Sequence, residues 1–269
     1  DEGTTIILTV NKISEVKTIK LSAVKFVYDG KVKKPSLTVK TADGKTLKAG
    51  KDYAVSGTTV SNKIGIYSAK LSFKGNYKGS RTLVWKIIPQ APKNVKSVST
   101  HNSITLTWNK VEGAFAYVIC DDMGIKVAAV KTNKAVIKGL CEGERATYYI
   151  IATAKSGKQT VLGEKTKIST AAKPSTIEYV KAAAKKNQVT VSWYENHGVS
   201  GYQVSFSAKK NGTYKTLKTV KANPKKDLNR VTLSNFSKGT SYFKVRSYIK
   251  IGSNIIYGNW SAPVAVKIK

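Results

Sequence analysis

Twice in this chain an apolar residue at every second position runs up to a tryptophan. In Ser103–Asn109 (SITLTWN) the series is Ile104, Leu106 and Trp108; in Gln188–Tyr194 (QVTVSWY) it is Val189, Val191 and Trp193. A period of two places each trio on one face of a strand and the intervening polar residues on the other. A chain written this way must build sheets with one wet and one buried face. Comparable runs of Val, Ile, Thr and Tyr, punctuated by Gly, Asn, Asp and Lys, recur along the sequence. No stretch holds a 3.6-residue period through three turns, and Ala182–Lys186 (AAAKK) is too short for an independent helix. The chain is therefore expected to be all-β.

Proline marks the seams. Pro89 and Pro92 form one cluster and Pro174 closes Ala171-Ala-Lys-Pro174. Proline lacks an amide donor and breaks a central strand, so both clusters read as short linkers. The expected division is 1–89, 90–173 and 174–269, each about the size of a seven-stranded sandwich. With 41 % hydrophobic residues, each part can bury a core. No apolar run approaches the roughly 20 residues that span a bilayer. The opening DEGTT has no signal-peptide pattern, so an export signal is expected to have been removed or to lie elsewhere.

The second and third parts repeat each other. SITLTWNKVEGAFAYVI and QVTVSWYENHGVSGYQVSF are each a strand ending in Trp, a polar loop with Gly, and a strand opening on Tyr117 or Tyr202. Later, Leu140 and Gly143 match Phe236 and Gly239, each pair leading into an aromatic-bearing strand. Over about residues 91–269 this resembles the fibronectin type III module. The resemblance assigns Trp108 and Trp193 to strand B and Tyr117 and Tyr202 to strand C. It places the tyrosine corner, whose hydroxyl pins the turn between the sheets, on Tyr148 and Tyr242. Leu140 to Tyr148 is longer than Phe236 to Tyr242, so that corner is expected to be longer in the second module.

The first part has its own signature. Tyr28-x-Gly30, Pro35, Asp43-Gly44, Gly50, Asp52-Tyr53, Gly65 and Gly75-Asn76-Tyr77-x-Gly79 precede a closing strand with Trp85. This resembles an Ig-like repeat module of large surface proteins of Gram-positive bacteria. Asp43-Gly44 is expected to form a tight hairpin, and Gly75 and Gly79 a turn needing backbone freedom. Residues 4–11 (TTIILTVN) read as one extra strand, closing a preceding module or adding an edge to this one. The expected fold is thus three tandem Ig-like/fibronectin type III-like β-sandwiches, joined as a semi-rigid rod.

Charge limits the partners. There are 47 Lys+Arg against 15 Asp+Glu, a formal net charge of +32. The excess is spread over all three parts, and only Arg81, Arg145, Arg230 and Arg246 are arginines. Base-edge readout leans on the planar arginine fork, so specific nucleic-acid recognition is not expected. A solvated lysine-rich surface and attraction to an anionic wall polymer, glycan or lipid surface both remain open.

Chemistry is sparse. No acid–base pair, nucleophile elbow or phosphate loop can be assembled, so no catalytic residue, cofactor site or metal site is assigned. Asp121 and Asp122 follow a strand and read as turn carboxylates, with a weak cation site as the alternative. His101 and His197 read as solvated loop residues. Cys120 ends a strand and Cys141 lies in the following corner; they form a disulfide, as suits an extracellular protein, or remain two thiols. Trp85, Trp108 and Trp193 read as core. Tyr194, His197, Tyr248, Tyr257 and Trp260 are the candidate ligand surface, at one pole of the third module.

The expected protein is a monomeric, non-enzymatic spacer and adhesion segment, secreted or attached to the wall of a Gram-positive cell. The alternative is a set of carbohydrate-binding modules accessory to a secreted glycosidase or other surface enzyme. The loose strand at residues 4–11 reads as the mark of an excerpt from something longer.

Overall fold

A computed structural model describes residues 15–269, so the strand expected at residues 4–11 lies outside the described residues. The described chain is all-β, as its period-two patterning requires. Among the described residues, six sheets form from three contiguous stretches of sequence, two sheets from each.

The first stretch holds β1 (Val16–Leu21), β2 (Lys25–Val27), β3 (Leu37–Thr41), β4 (Tyr53–Gly57), β5 (Gly65–Phe73) and β6 (Ser80–Ile88). β1 pairs antiparallel with β3, and the other four form a sheet ordered β2-β6-β5-β4. β2 runs parallel to β6, Lys25 opposite Lys86. Trp85 is 1 % exposed, with Phe26 edge-on at 6.0 Å and Tyr67 at 4.7 Å. Its indole N–H donates to the Thr58 carbonyl at 2.9 Å, so the buried donor is satisfied. Gly75 and Gly79 both take positive φ in the turn between β5 and β6, as their spacing implied. Asp43-Gly44 does turn the chain, with Gly44 at φ 87°, but no second hairpin strand follows. The returning chain makes a single bridge, Thr46 to Lys40.

The second stretch holds β7 (Lys96–Ser99), β8 (Ser103–Thr107), β9 (Ala116–Cys120), β10 (Lys126–Val130), β11 (Lys134–Lys138), β12 (Arg145–Ser156) and β13 (Gln159–Ala171). The third holds β14 (Lys181–Lys185), β15 (Gln188–Tyr194), β16 (Gly201–Ser207), β17 (Lys215–Lys221), β18 (Leu228–Leu233), β19 (Gly239–Ile251), β20 (Asn254–Tyr257) and β21 (Val264–Ile268). The sequence repeat is also a topological repeat. The first, second and fifth strands form one sheet, β11-β8-β7 and β14-β15-β18. The fourth, third, sixth and seventh form the other, β10-β9-β12-β13 and β17-β16-β19-β20, with β21 also paired to β19. In the third stretch the two sheets close on one core, where Val189, Val191 and Trp193 meet Tyr202, Val204, Phe243 and Val245.

One hydrogen bond recurs at the same spacing in both repeats. The Val111 N–H donates to the Tyr117 hydroxyl and the Asn196 N–H to the Tyr202 hydroxyl, each at 2.9 Å. The tyrosine that opens the third strand thereby ties down the loop before it. The corner expected at Tyr242 is corrected. Ser241, Phe243, Val245, Ser247 and Ile249 are the buried residues of β19, so alternation turns Tyr242 to the outer face with Lys244 and Arg246. Tyr148 does face inward and is 4 % exposed.

The chain falls into two compact units. One comprises the described residues up to Pro92 with Lys110–Tyr117 and Ile151–Lys165; the other comprises Lys93–Asn109, Val118–Ile150 and Thr166–Lys269. Within the first, Lys25 pairs with Glu164 at 2.8 Å, the Ile66 N–H donates to Ser156 Oγ at 3.0 Å, and the Tyr28 hydroxyl donates to Glu112 at 3.2 Å. The Glu112 carboxylate pushes the Tyr28 phenol up from its ordinary value. Within the second, the Arg145 guanidinium donates to the carbonyls of Gly198 and Lys250, both at 3.3 Å. Contacts of this kind join residues far apart in sequence across the proline seams.

Candidate functional site

Alternation along β19 places Tyr242, Lys244, Arg246 and Tyr248 on its outer face. β20 pairs beside it, with Tyr257 opposite Tyr248. The Arg246 guanidinium consequently lies 3.8 Å from the centre of the Tyr257 ring, and the loop after β20 brings Trp260 to 4.4 Å. Tyr248 continues the row, 6.2 Å from Tyr257. Arg246 also donates twice to Gln203 Oε1, from Nε at 3.0 Å and from Nη2 at 2.8 Å. Its polar partner is a neutral amide, and burial pulls its basicity below the usual arginine range. Aromatic faces attract cations through their quadrupole, so the guanidinium is held without a carboxylate.

Arg246, Tyr257 and Trp260 line an open groove of about 500 Å³ together with Lys173, Val98 and Ile255. Val98 is 70 % exposed and Ile255 is 44 % exposed. The groove therefore offers aromatic and aliphatic surface beside two cationic side chains. Such an aromatic surface suits stacking of a sugar ring.

The five residues expected to form one surface separate into two sets. Tyr248, Tyr257 and Trp260 are half-buried and share the row through Arg246. Tyr194, exposed at the end of β15, and His197, exposed in the loop that follows, have no ring or ion contact with that row. Sequence reasoning missed Arg246. Its signals were its rarity as an arginine and its phase, two residues before Tyr248 on the same face.

His101 is corrected. It is half-buried rather than solvated, with Asn259 Nδ2 at 3.0 Å from its Nε2. Its Nδ1 lies 3.3 Å from Glu142 Oε1, within ion-pair range but without hydrogen-bond geometry. Glu142 in turn accepts from the Ser175 hydroxyl. Asp121 serves its turn, its carboxylate accepting from the Met123 and Ile125 N–H groups at 3.0 and 2.8 Å. Cys120 is half-buried, Cys141 is exposed, and both thiols are free. Among the described residues no group of three His, Cys, Asp or Glu side chains is arranged to hold a metal ion, and no helix is long and apolar enough to cross a membrane.

No protein-family model matches the chain. No curated protein matches it either. Among solved structures, the FN1–FN3 domains of chicken CNTN1 are 12 % identical, covering 95 % of this chain and 99 % of that one, with a TM-score of 0.41. A segment of two fibronectin type III domains from chicken tenascin is 21 % identical, covering 66 % of this chain and 98 % of that one, with a TM-score of 0.34. A structure titled FN3tt mut is 18 % identical over 31 % of this chain and 96 % of that one, with a TM-score of 0.28.

Proposed function

We propose that the chain is a non-enzymatic, modular segment of an extracellular surface protein, acting as a spacer and as an adhesion surface for anionic polymers. Its modules are an Ig-like surface repeat at 1–89 and two fibronectin type III-like units at 90–173 and 174–269. The strand order shared by the second and third stretches supports the two equivalent units. It works as a monomer at the surface or in the wall of a Gram-positive cell, with its lysine-rich faces toward wall polymer or acidic glycan.

The observation that carries this reading is charge. Fifteen carboxylates cannot neutralise 47 basic side chains, and a net +32 makes a protein of this size a strong attractor of polyanions. The test is pelleting with insoluble Gram-positive cell wall, intact or stripped of its anionic polymer, at about 0.1 M and about 0.5 M salt. Binding that needs both the polymer and low salt supports the reading.

The groove at Trp260 favours a second reading, a carbohydrate-binding accessory module of a larger surface enzyme. It predicts binding that survives high salt and is lost in Trp260→Ala.

A further inference from the structure

The groove of about 500 Å³ at Trp260 takes its walls from two stretches of sequence. Val98 and Lys173 come from the second stretch and the linker after it; Ile255, Tyr257 and Trp260 come from the third. All of them lie within one compact unit. Strand phase turns both walls outward, away from either core. On β7, Ser97 and Ser99 stand opposite the buried Leu106 and Ile104, so Val98 points out and is 70 % exposed. On β20, Ile255 and Tyr257 share the outer face with Lys250 and Tyr248, their partners in register. Each wall alone is one face of a sheet, and together they enclose the groove.

Polar contacts hold the walls in place. Asn259 lines the groove from the third stretch, and its Nδ2 lies 3.0 Å from Nε2 of His101 in the second. The Lys173 N–H donates to the Thr100 carbonyl at 2.8 Å, fixing the linker to the turn that carries His101. A site arranged in advance loses less ordering entropy on binding. Its lining also leaves two donors uncommitted. The half-buried Trp260 indole and the half-buried Lys173 ammonium make no hydrogen bond among the described residues. Arg246 is committed by contrast, to Gln203 and to two rings, so the groove does not present it as a free cation.

We propose that the groove is a composite glycan site, in which a neutral pyranose chain packs on Trp260 and covers Val98 across the seam at Pro174. The proposal rests on the carbohydrate reading above and adds that binding needs both stretches. A pyranose ring has an apolar C–H face and a rim of hydroxyls. The face matches Trp260, Val98 and Ile255, and the hydroxyls match the two uncommitted donors.

The test uses the whole chain in about 0.5 M salt, where attraction to lysines is screened. The probes are chitotetraose and cellotetraose, both neutral. The Val98 methyl and Trp260 indole resonances are expected to move together and give one dissociation constant. Val98→Asn should weaken binding about threefold or more, because it removes apolar cover without opening a core. His101→Ala should weaken it about two- to fivefold by loosening the walls, although His101 does not line the groove. Val136→Asn is the control. Val136 is 45 % exposed and, like Val98, neighbours Thr105, but it does not line the groove, so affinity should stay unchanged. Trp260→Ala, checked for a folded spectrum, should bind roughly tenfold more weakly or worse. Unmoved Val98 resonances, or normal binding by Val98→Asn beside a loss in Trp260→Ala, would overturn the composite site and leave the carbohydrate reading standing. No shift of either resonance with either probe would overturn both.

Discussion

The residue whose role is repeated most faithfully is the tyrosine opening the third strand of the second and third stretches. Tyr117 and Tyr202 are buried, and each accepts a backbone N–H six residues upstream. Tyr117→Phe and Tyr202→Phe keep the ring and orphan that N–H, so each should cost about 1–2 kcal/mol in urea unfolding. A loss below a few tenths would mean the loop is held by other contacts. The same burial sets a pH dependence. Desolvation pushes the Tyr148 and Tyr202 hydroxyls up from the ordinary 10.0. The folded state holds these protons more tightly, so their contribution to stability is complete below pH 10. It is lost as the pH rises through the raised values. Ultraviolet titration should show a late-ionising group of tyrosines, diminished in Tyr202→Phe. At this scale the buried tryptophans were legible because period two exposes them. Arg246 was not, because a cation–π stack depends on which strand pairs beside β19 and how the following loop returns.

At the scale of elements, packing separates two glycines that share one backbone conformation. Gly44 and Gly57 both have φ of 87°, but a Cβ on Gly44 would meet open space, whereas one on Gly57 would lie 2.5 Å from the Ser68 carbonyl oxygen. Gly44→Ala should cost about 1–2 kcal/mol from the positive φ alone. Gly57→Ala should cost clearly more and disturb the β4–β5 pairing, read by amide exchange along Leu71 and Ser72. Arg246→Lys should lower stability by about 1 kcal/mol, because an ammonium cannot stack flat between Tyr257 and Trp260 while reaching Gln203. Strand existence was largely legible, since alternation and turn residues are local signals. Pairing was not. The parallel β2–β6 contact and the isolated Lys33–Ser61 bridge depend on partners far along the chain. Tyr242 was misplaced for a related reason: a motif match ignores strand phase, and a slip of one residue exchanges the inner and outer faces.

At the scale of the molecule, charge and repetition carry the account. The repeat from 91 to 269 was readable because the same strand order needs the same spacing of Trp, Gly and Tyr. The candidate ligand surface was only half readable. Tyr248, Tyr257 and Trp260 converge because β19 and β20 are neighbours, while Tyr194 and His197 sit apart. The central claim is that the lysine excess engages polyanions. The most direct measurement is the binding constant for soluble poly(glycerol phosphate) as salt rises from about 0.1 M to about 0.5 M, where the screening length falls roughly twofold. The account predicts firm binding at the low end that weakens steeply with salt. Affinity that is independent of salt, or no binding at 0.1 M, would contradict it.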